Sequence, residues 1–176
     1  MNSAWYALRV KDRFEHIVDS QLRRKGYETL LPTYLLTRIR SDGAKYVSLP
    51  LFPNYIFCQF DINQRQPVLL TPGVSSVVGA GRIPLPIDRT EVTSLRQLLK
   101  SGLNACPSPY LAKGQRVQVT RGPLKGLTGI VVGTNGRYRL AISVSVLMRS
   151  VSVELDLLSV RPLDPISIVQ DKSVQA

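Results

Sequence analysis

The sequence predicts an α+β domain, a mixed sheet with flanking helices, followed by a small β-barrel of five strands. Three observations carry this expectation. Up to residue 103, period-2 apolar runs are interspersed with two amphipathic helical stripes. Residues 104–112, with Pro107 and Pro109, read as a short, stiff linker. Residues 113–163 then hold several short alternating runs separated by glycine-rich turns, the pattern of a small barrel. Residues 164–176 read as a flexible tail.

In the first unit, Trp5-Tyr6-Ala7-Leu8-Arg9-Val10 is the opening strand. Asp12 and Glu15 have the spacing of a capping box, and Phe14, Ile17, Val18 and Leu22 form one helical stripe behind them. Arg23-Arg24-Lys25 suits the negative end of the helix dipole, and Gly26 the position beyond it. Runs at 30–31 and 34–39 are strand-like around Pro32, and a turn at Asp42-Gly43 leads to 45–49, making a basic hairpin. Pro53-Asn54 breaks the backbone ahead of a strand over 55–60. Period 2 puts Tyr55 and Phe57 on one face of it and Ile56, Cys58 and Phe60 on the other. The core can bury one face while the aromatics of the other form a docking surface. A short helix interrupted near Pro67, a strand over 74–78 and a loop over 79–86 follow. Asp88 and Glu91 repeat the capping-box spacing before a second long helix, with Val92, Leu95, Leu98 and Leu99 inward and Gly102 at its end.

In the second unit, Val117 and Val119 alternate with polar residues, 121–126 makes a turn, and 127–132 is the next strand. Asn135-Gly136 is a hairpin turn. Tyr138, Leu140, Ile142, Val144 and Val146 then alternate strictly with polar or small residues, as do Val151, Val153 and Leu155. This β-branched, period-2 pattern argues for a constitutive barrel rather than a segment that refolds as helix.

A formal charge of +11 implies a polyanionic partner, nucleic acid first, although a membrane surface or a simply solvated basic surface carries the same sign. Arginines outnumber lysines, which suits phosphate or base contacts. Cys58 and Cys106 are far apart and form no CxxC, and His16 is the one histidine, placed on a helix surface. Zinc is therefore not expected, and a reducing cytosol is. No apolar run approaches membrane-spanning length and no leader opens the chain, so a soluble cytoplasmic monomer is expected. Without a second histidine or a metal cluster, nucleophilic and metal chemistry lack machinery; a binding protein is expected, not an enzyme, with no cofactor.

Gly114-x-x-Val117-x-Val119-x-x-Gly122-Pro123-Leu124-x-Gly126-x-x-Gly129-x-Val131 resembles a KOW motif, found in transcription elongation factors and some ribosomal proteins. Gly122-Pro123 and Gly126 suit a tight turn, and Gly129 either a positive φ or a close backbone approach. Upstream, Trp5-Tyr6, Leu51-Phe52-Pro53-Asn54-Tyr55-Ile56-Phe57 and Thr71-Pro72-Gly73-Val74 resemble the NusG N-terminal domain. The Pro-Asn-Tyr segment is closer to specialised RfaH-like antiterminator paralogs than to housekeeping NusG, which usually has Gly between Pro and Tyr.

The resemblance implies a transcription elongation or antitermination factor that binds RNA polymerase and suppresses pausing or termination on long operons. It places contact with the polymerase clamp helices on Trp5, Tyr6, Phe52, Tyr55 and Phe57, and contact with the gate loop or lobe on Gln64, Arg65 and Gln66. It further implies non-template DNA at Lys11, Arg13, Gln21, Arg23 and Arg24, and Rho or a small-subunit ribosomal protein at Leu147, Met148 and Arg149. The chain departs from the pattern at Arg9, where RfaH-like relatives have an aromatic, at Pro72, which replaces a basic residue, and at Leu147, which replaces Phe. The alternative is a KOW-type RNA- or ribosome-binding protein, suited to the charge but silent on the aromatics after Pro53.

Overall fold

The structure, a computed structural model, describes residues 3–40, 43–108, 114–134, 137–154, 156 and 159–163. Asp42 of the turn expected before the basic hairpin's second strand, the hairpin turn expected at Asn135-Gly136, residues 109–112 of the expected linker, Leu155 and the tail lie outside the described residues. In chain order the elements begin with β1 (Ser3–Val10), α1 (Glu15–Arg24), β2 (Glu28–Leu30), β3 (Thr33–Arg40), β4 (Gly43–Pro50) and β5 (Tyr55–Asp61). They continue with α2 (Gln66–Leu69), β6 (Val74–Val77), β7 (Gly79–Ala80), β8 (Ile83–Pro84) and α3 (Arg89–Lys100). The C-terminal part holds β9 (Ala105–Ser108), β10 (Gln115–Val119), β11 (Thr128–Thr134), β12 (Arg137–Val144), β13 (Arg149–Glu154) and β14 (Val160–Pro162).

The N-terminal sheet has the order β2-β5-β1-β6, and every ladder in it is antiparallel, where a mixed sheet was expected. The reason is topological. Helix α1 carries the chain from β1 to β2, as a crossover between parallel strands does, but β5 is inserted between the two, so strands running in the same direction never become neighbours. On one side of this sheet Tyr6, Leu8, Val10, Ile56, Cys58 and Phe60 pack with Val18 and Leu22 of α1. On the other, Trp5, Ala7 and Phe57 join Val92, Leu95 and Leu98 of α3. The expected split of β5 into two faces is what the packing shows. Burial pushes the Cys58 thiol up to about 12, with the Asp19 carboxylate adding to it, so this sulfur stays protonated at neutral pH.

The first helix starts differently from expectation. Its first residue is Glu15, Phe14 takes the N-cap place and caps nothing with its side chain, and Ile17 is exposed. Glu15 is buried instead, and its carboxylate accepts a hydrogen bond from the Asn54 amide at 2.9 Å. The apolar stripe thus turns about one position, because this side of the helix has to seat a carboxylate over the Pro53-Asn54 turn. The second helix does have its expected cap: Asp88 accepts from the Thr90 amide at 2.7 Å and from its hydroxyl. That hydroxyl, and then the amide, hold the Asp88 carboxyl below its usual value. The capping box is not completed, however, since Glu91 reaches a different partner.

Residues 105–108, expected as linker, form an edge strand whose Ala105 and Cys106 pair with Val153 and Ser152. The C-terminal sheet therefore has six strands among the described residues, in the order β14-β10-β11-β12-β13-β9, rather than five. The KOW glycines behave as two kinds. Gly122 and Gly126 adopt φ values of 77° and 86° around a turn closed by the Gly126 amide donating to the Val119 carbonyl at 2.8 Å. Gly129 has no such φ; a Cβ there would lie 2.6 Å from the Ala141 carbonyl oxygen, so its requirement is close backbone approach.

Candidate functional site

The segment that begins β5 is held in place from three directions. Asn54 has φ of 68°, a left-handed value open to Gly and tolerated by Asn. Its amide is bound by Glu15, its carbonyl accepts from the Val10 amide at 2.9 Å, and the Tyr55 amide donates to the Phe52 carbonyl at 3.1 Å. These contacts aim Tyr55 off the start of the strand. Asn54→Ala should cost about 1–2 kcal/mol through the strained φ, while Asn54→Gly should be near neutral; urea midpoints of the two variants measure the difference. Glu15→Ala should cost about 1–3 kcal/mol by leaving that amide without its acceptor.

The five aromatic candidates are not on one surface. Tyr6 faces the opposite side of the sheet from Trp5, stacked at a tilt on Phe60 with ring centroids 4.9 Å apart. Adjacent residues of a strand must diverge in this way, so the separation was available from the period-2 argument. Phe52 and Phe57 meet edge to face at 5.4 Å, both with no exposed surface. Trp5 lies 6% exposed beneath α3, with the Arg96 guanidinium 4.8 Å above its ring. Only Tyr55 is half-open. Its neighbour across the ladder is Arg9, which is exposed.

What covers this side of the sheet is α3 together with the C-terminal sheet. A single apolar cluster runs from Trp5, Phe52 and Phe57 through Val92, Leu95 and Leu98 to Leu124, Leu127, Leu140, Ile142 and Leu147. Polar contacts fasten it at both ends of α3. Near its start, Glu91 accepts from the Ser145 amide at 3.0 Å and hydroxyl at 2.6 Å. Near its end, the Gln97 amide donates to the Lys125 carbonyl at 2.9 Å. Arg149 completes the closure, its guanidinium 5.1 Å from the centre of the Tyr55 ring. Glu91 and Gln97 were missed as interface residues, as was Arg96 over Trp5 within the N-terminal unit, and Glu91 sits 54 positions from its partner. No local signal carries a pairing of that range; the capping-box spacing pointed Glu91 to its own helix instead.

The other candidates are distributed as follows. Gln64, Arg65 and Gln66 are exposed at a 3-10 turn and the start of α2. Lys11, Arg13 and Arg24 are exposed; Arg23 is engaged by Asp19 at 2.9 Å, and Gln21 is half-buried. Of the C-terminal trio, Leu147 is buried in the shared cluster, Met148 is exposed with φ of 49°, and Arg149 is the residue over Tyr55. His16 is exposed on α1. Among the described residues no group of three or more His, Cys, Asp or Glu could hold a metal ion, and no helix is long and apolar enough to cross a membrane. The arrangement is suited to binding: an aromatic seam under a basic cover, with further cations on α1.

Comparison with known proteins agrees along nearly the whole chain. Residues 3–96 match the family model described as transcription termination factor nusG, and residues 113–143 match the KOW motif. The transcription termination/antitermination protein NusG of Thermus thermophilus is 31% identical, with 89% of this chain and 96% of that protein aligned. Its namesake in Escherichia coli K12 is 28% identical over 86% of this chain and 92% of that protein. Among solved structures, one described as domain interaction in Thermotoga maritima NusG superposes with a TM-score of 0.52 at 17% identity, covering 93% of this chain and 99% of that one.

Proposed function

Because the chain belongs to the NusG family of transcription termination and antitermination proteins, we propose that it acts by binding RNA polymerase through the Tyr55 side of its N-terminal sheet. The C-terminal sheet is the cover that moves aside to allow this. The observation that carries the reading is the position of Tyr55, the half-open aromatic at the seam, held by a rigid turn and masked by Arg149. Phe52 and Phe57 serve beneath it as the packed base of the clamp-helix contact, with Trp5 under α3. Tyr6, on the other face, shapes the sheet and stays out of the contact.

Around that contact, exposed Gln64, Arg65 and Gln66 reach the gate loop or lobe, and Lys11, Arg13 and Arg24 lie open to non-template DNA, with Gln21 and Arg23 beside them. Leu147, Met148 and Arg149 form the loop for Rho or a small-subunit ribosomal protein. Since Arg149 covers Tyr55 in the closed form, the two partner surfaces become available together. The effect on transcription is a shift in population: binding energy favours the closed polymerase clamp, so pausing falls on long operons.

The test is binding of the full chain to purified core polymerase. Tyr55→Ala should weaken it about tenfold or more, the range of a buried aromatic anchor, with the thermal melt little changed. Unaltered polymerase affinity of a folded Tyr55→Ala protein would count against the contact. Absence of polymerase binding together with ribosomal subunits retained at high salt would favour the RNA- or ribosome-binding alternative.

A further inference from the structure

Helix α2 spans four residues, too few to hold a helical turn without outside support. Val68 is the one fully buried side chain among the four, and it packs with Val18 and Leu22 of α1. One apolar side chain fixes where this turn sits but leaves it free to pivot. The turn also ends with an acceptor unmatched by backbone. The Leu70 amide donates to the Gln66 carbonyl at 2.9 Å, but the Thr71 amide goes to the Val68 carbonyl at 3.1 Å. The Pro67 carbonyl therefore loses the amide, four positions on, that a longer helix would supply.

Lys25, the residue that caps the C-terminal end of α1, serves this carbonyl from 42 positions away. Its ammonium donates to the Pro67 carbonyl at 2.9 Å and to the Thr71 hydroxyl oxygen at 2.8 Å. That hydroxyl donates in turn to the same carbonyl at 3.1 Å, so its single proton and its lone pairs are all used in a consistent sense. Thr71 is 1% exposed, which gives the clasp a buried wall as well as an open one. What the clasp orients is surface. Gln64, Arg65 and Gln66 are exposed just before and at the start of α2, and Leu70 just after it is 75% exposed.

We infer that Lys25 is a positioning residue. It locks α2 against the end of α1, so that 64–66 and Leu70 present one fixed surface, and it acts through that surface rather than by touching a partner. The inference rests on the reading that 64–66 meet polymerase, and its test has one arm that does not need polymerase. In hydrogen exchange of the full chain, Lys25→Met keeps the side-chain stem and removes the donors. It should speed exchange of the Leu70 and Thr71 amides about tenfold, the scale of a lost charge-assisted bond. The melting temperature should fall by about 4 °C or less. Thr71→Val removes the clasp from its buried side and should act in the same direction.

The second arm measures pause suppression with purified polymerase. Lys25→Met should lower it about as far as the triple variant Gln64→Ala, Arg65→Ala, Gln66→Ala does, and adding Lys25→Met to the triple variant should lower it by no more than about a further twofold. Full additivity of the two losses would mean that Lys25 touches polymerase or nucleic acid itself, and would overturn the inference. Wild-type exchange of the Leu70 and Thr71 amides in Lys25→Met would overturn it as well. A triple variant with undiminished pause suppression would instead sink the reading of 64–66, and the exchange result would still decide whether the clasp holds α2.

Discussion

Phe57→Ala is expected to destabilise the protein by about 3–5 kcal/mol, the cost of emptying an aromatic site in a packed core. Phe57 has no exposed surface, and Phe52 contacts it edge to face, so truncation opens a cavity and also removes an aromatic pair. Tyr55→Ala, two residues away on the same face, should cost far less, since its ring is half-open and its contact with Arg149 is partly solvated. Urea denaturation of the two variants makes the comparison, and a Phe57→Ala loss below about 1 kcal/mol would show that the ring is not part of the core. The practical consequence concerns binding tests. A double Tyr55→Ala, Phe57→Ala variant would mix a lost contact with a weakened core, since Phe57 is fully buried. Tyr55→Ala alone separates recognition from stability.

The contrast between these two residues marks how far the chain was legible. Alternation over 55–60 was enough to place Tyr55 and Phe57 together and Ile56 and Cys58 behind them, because a strand has only two faces. It could not say that the second face was occupied, since the covering residues come from α3 and from beyond residue 113. Local spacing also misled where two local structures compete for one carboxylate. Glu15 and Glu91 both satisfy the capping-box spacing, yet Glu15 goes to the Asn54 amide and Glu91 to Ser145, because distant donors offered better-placed bonds than the helix start did. Asp88 does cap its own helix, through Thr90 two residues away, although the box with Glu91 stays open. The KOW glycines were legible in kind, since a turn and a close approach are both backbone requirements, and Gly129 was decided only by the Ala141 carbonyl beside it. The edge strand at 105–108 was hidden by Pro107, which is tolerated at a sheet edge and reads as linker without that context.

The closed arrangement makes an opening prediction that no single-domain view would make. In the full chain, Glu91→Ala combined with Arg149→Ala removes the two hydrogen bonds to Ser145 and the cation over Tyr55, while leaving in place the apolar seam and every residue proposed to meet the clamp helices. These contacts are near the surface, where water can replace them, so the sum is about 1.5–2 kcal/mol rather than the larger value of buried groups. Such a change shifts a closed-to-open equilibrium by roughly 10- to 30-fold. Apparent affinity scales with the fraction of molecules in the competent form, so if the resting population is mostly closed, polymerase binding should tighten by up to that factor. The variant should also show an increased distance between labels placed on α1 and on β12, measured by paired spin labels or fluorescence transfer. Tighter binding with no change in distance would locate the effect in polymerase contacts rather than in the seam. Unchanged distance and unchanged affinity together would mean that the seam is held by its apolar cluster alone, and that the cover is lifted by polymerase instead of being poised to leave.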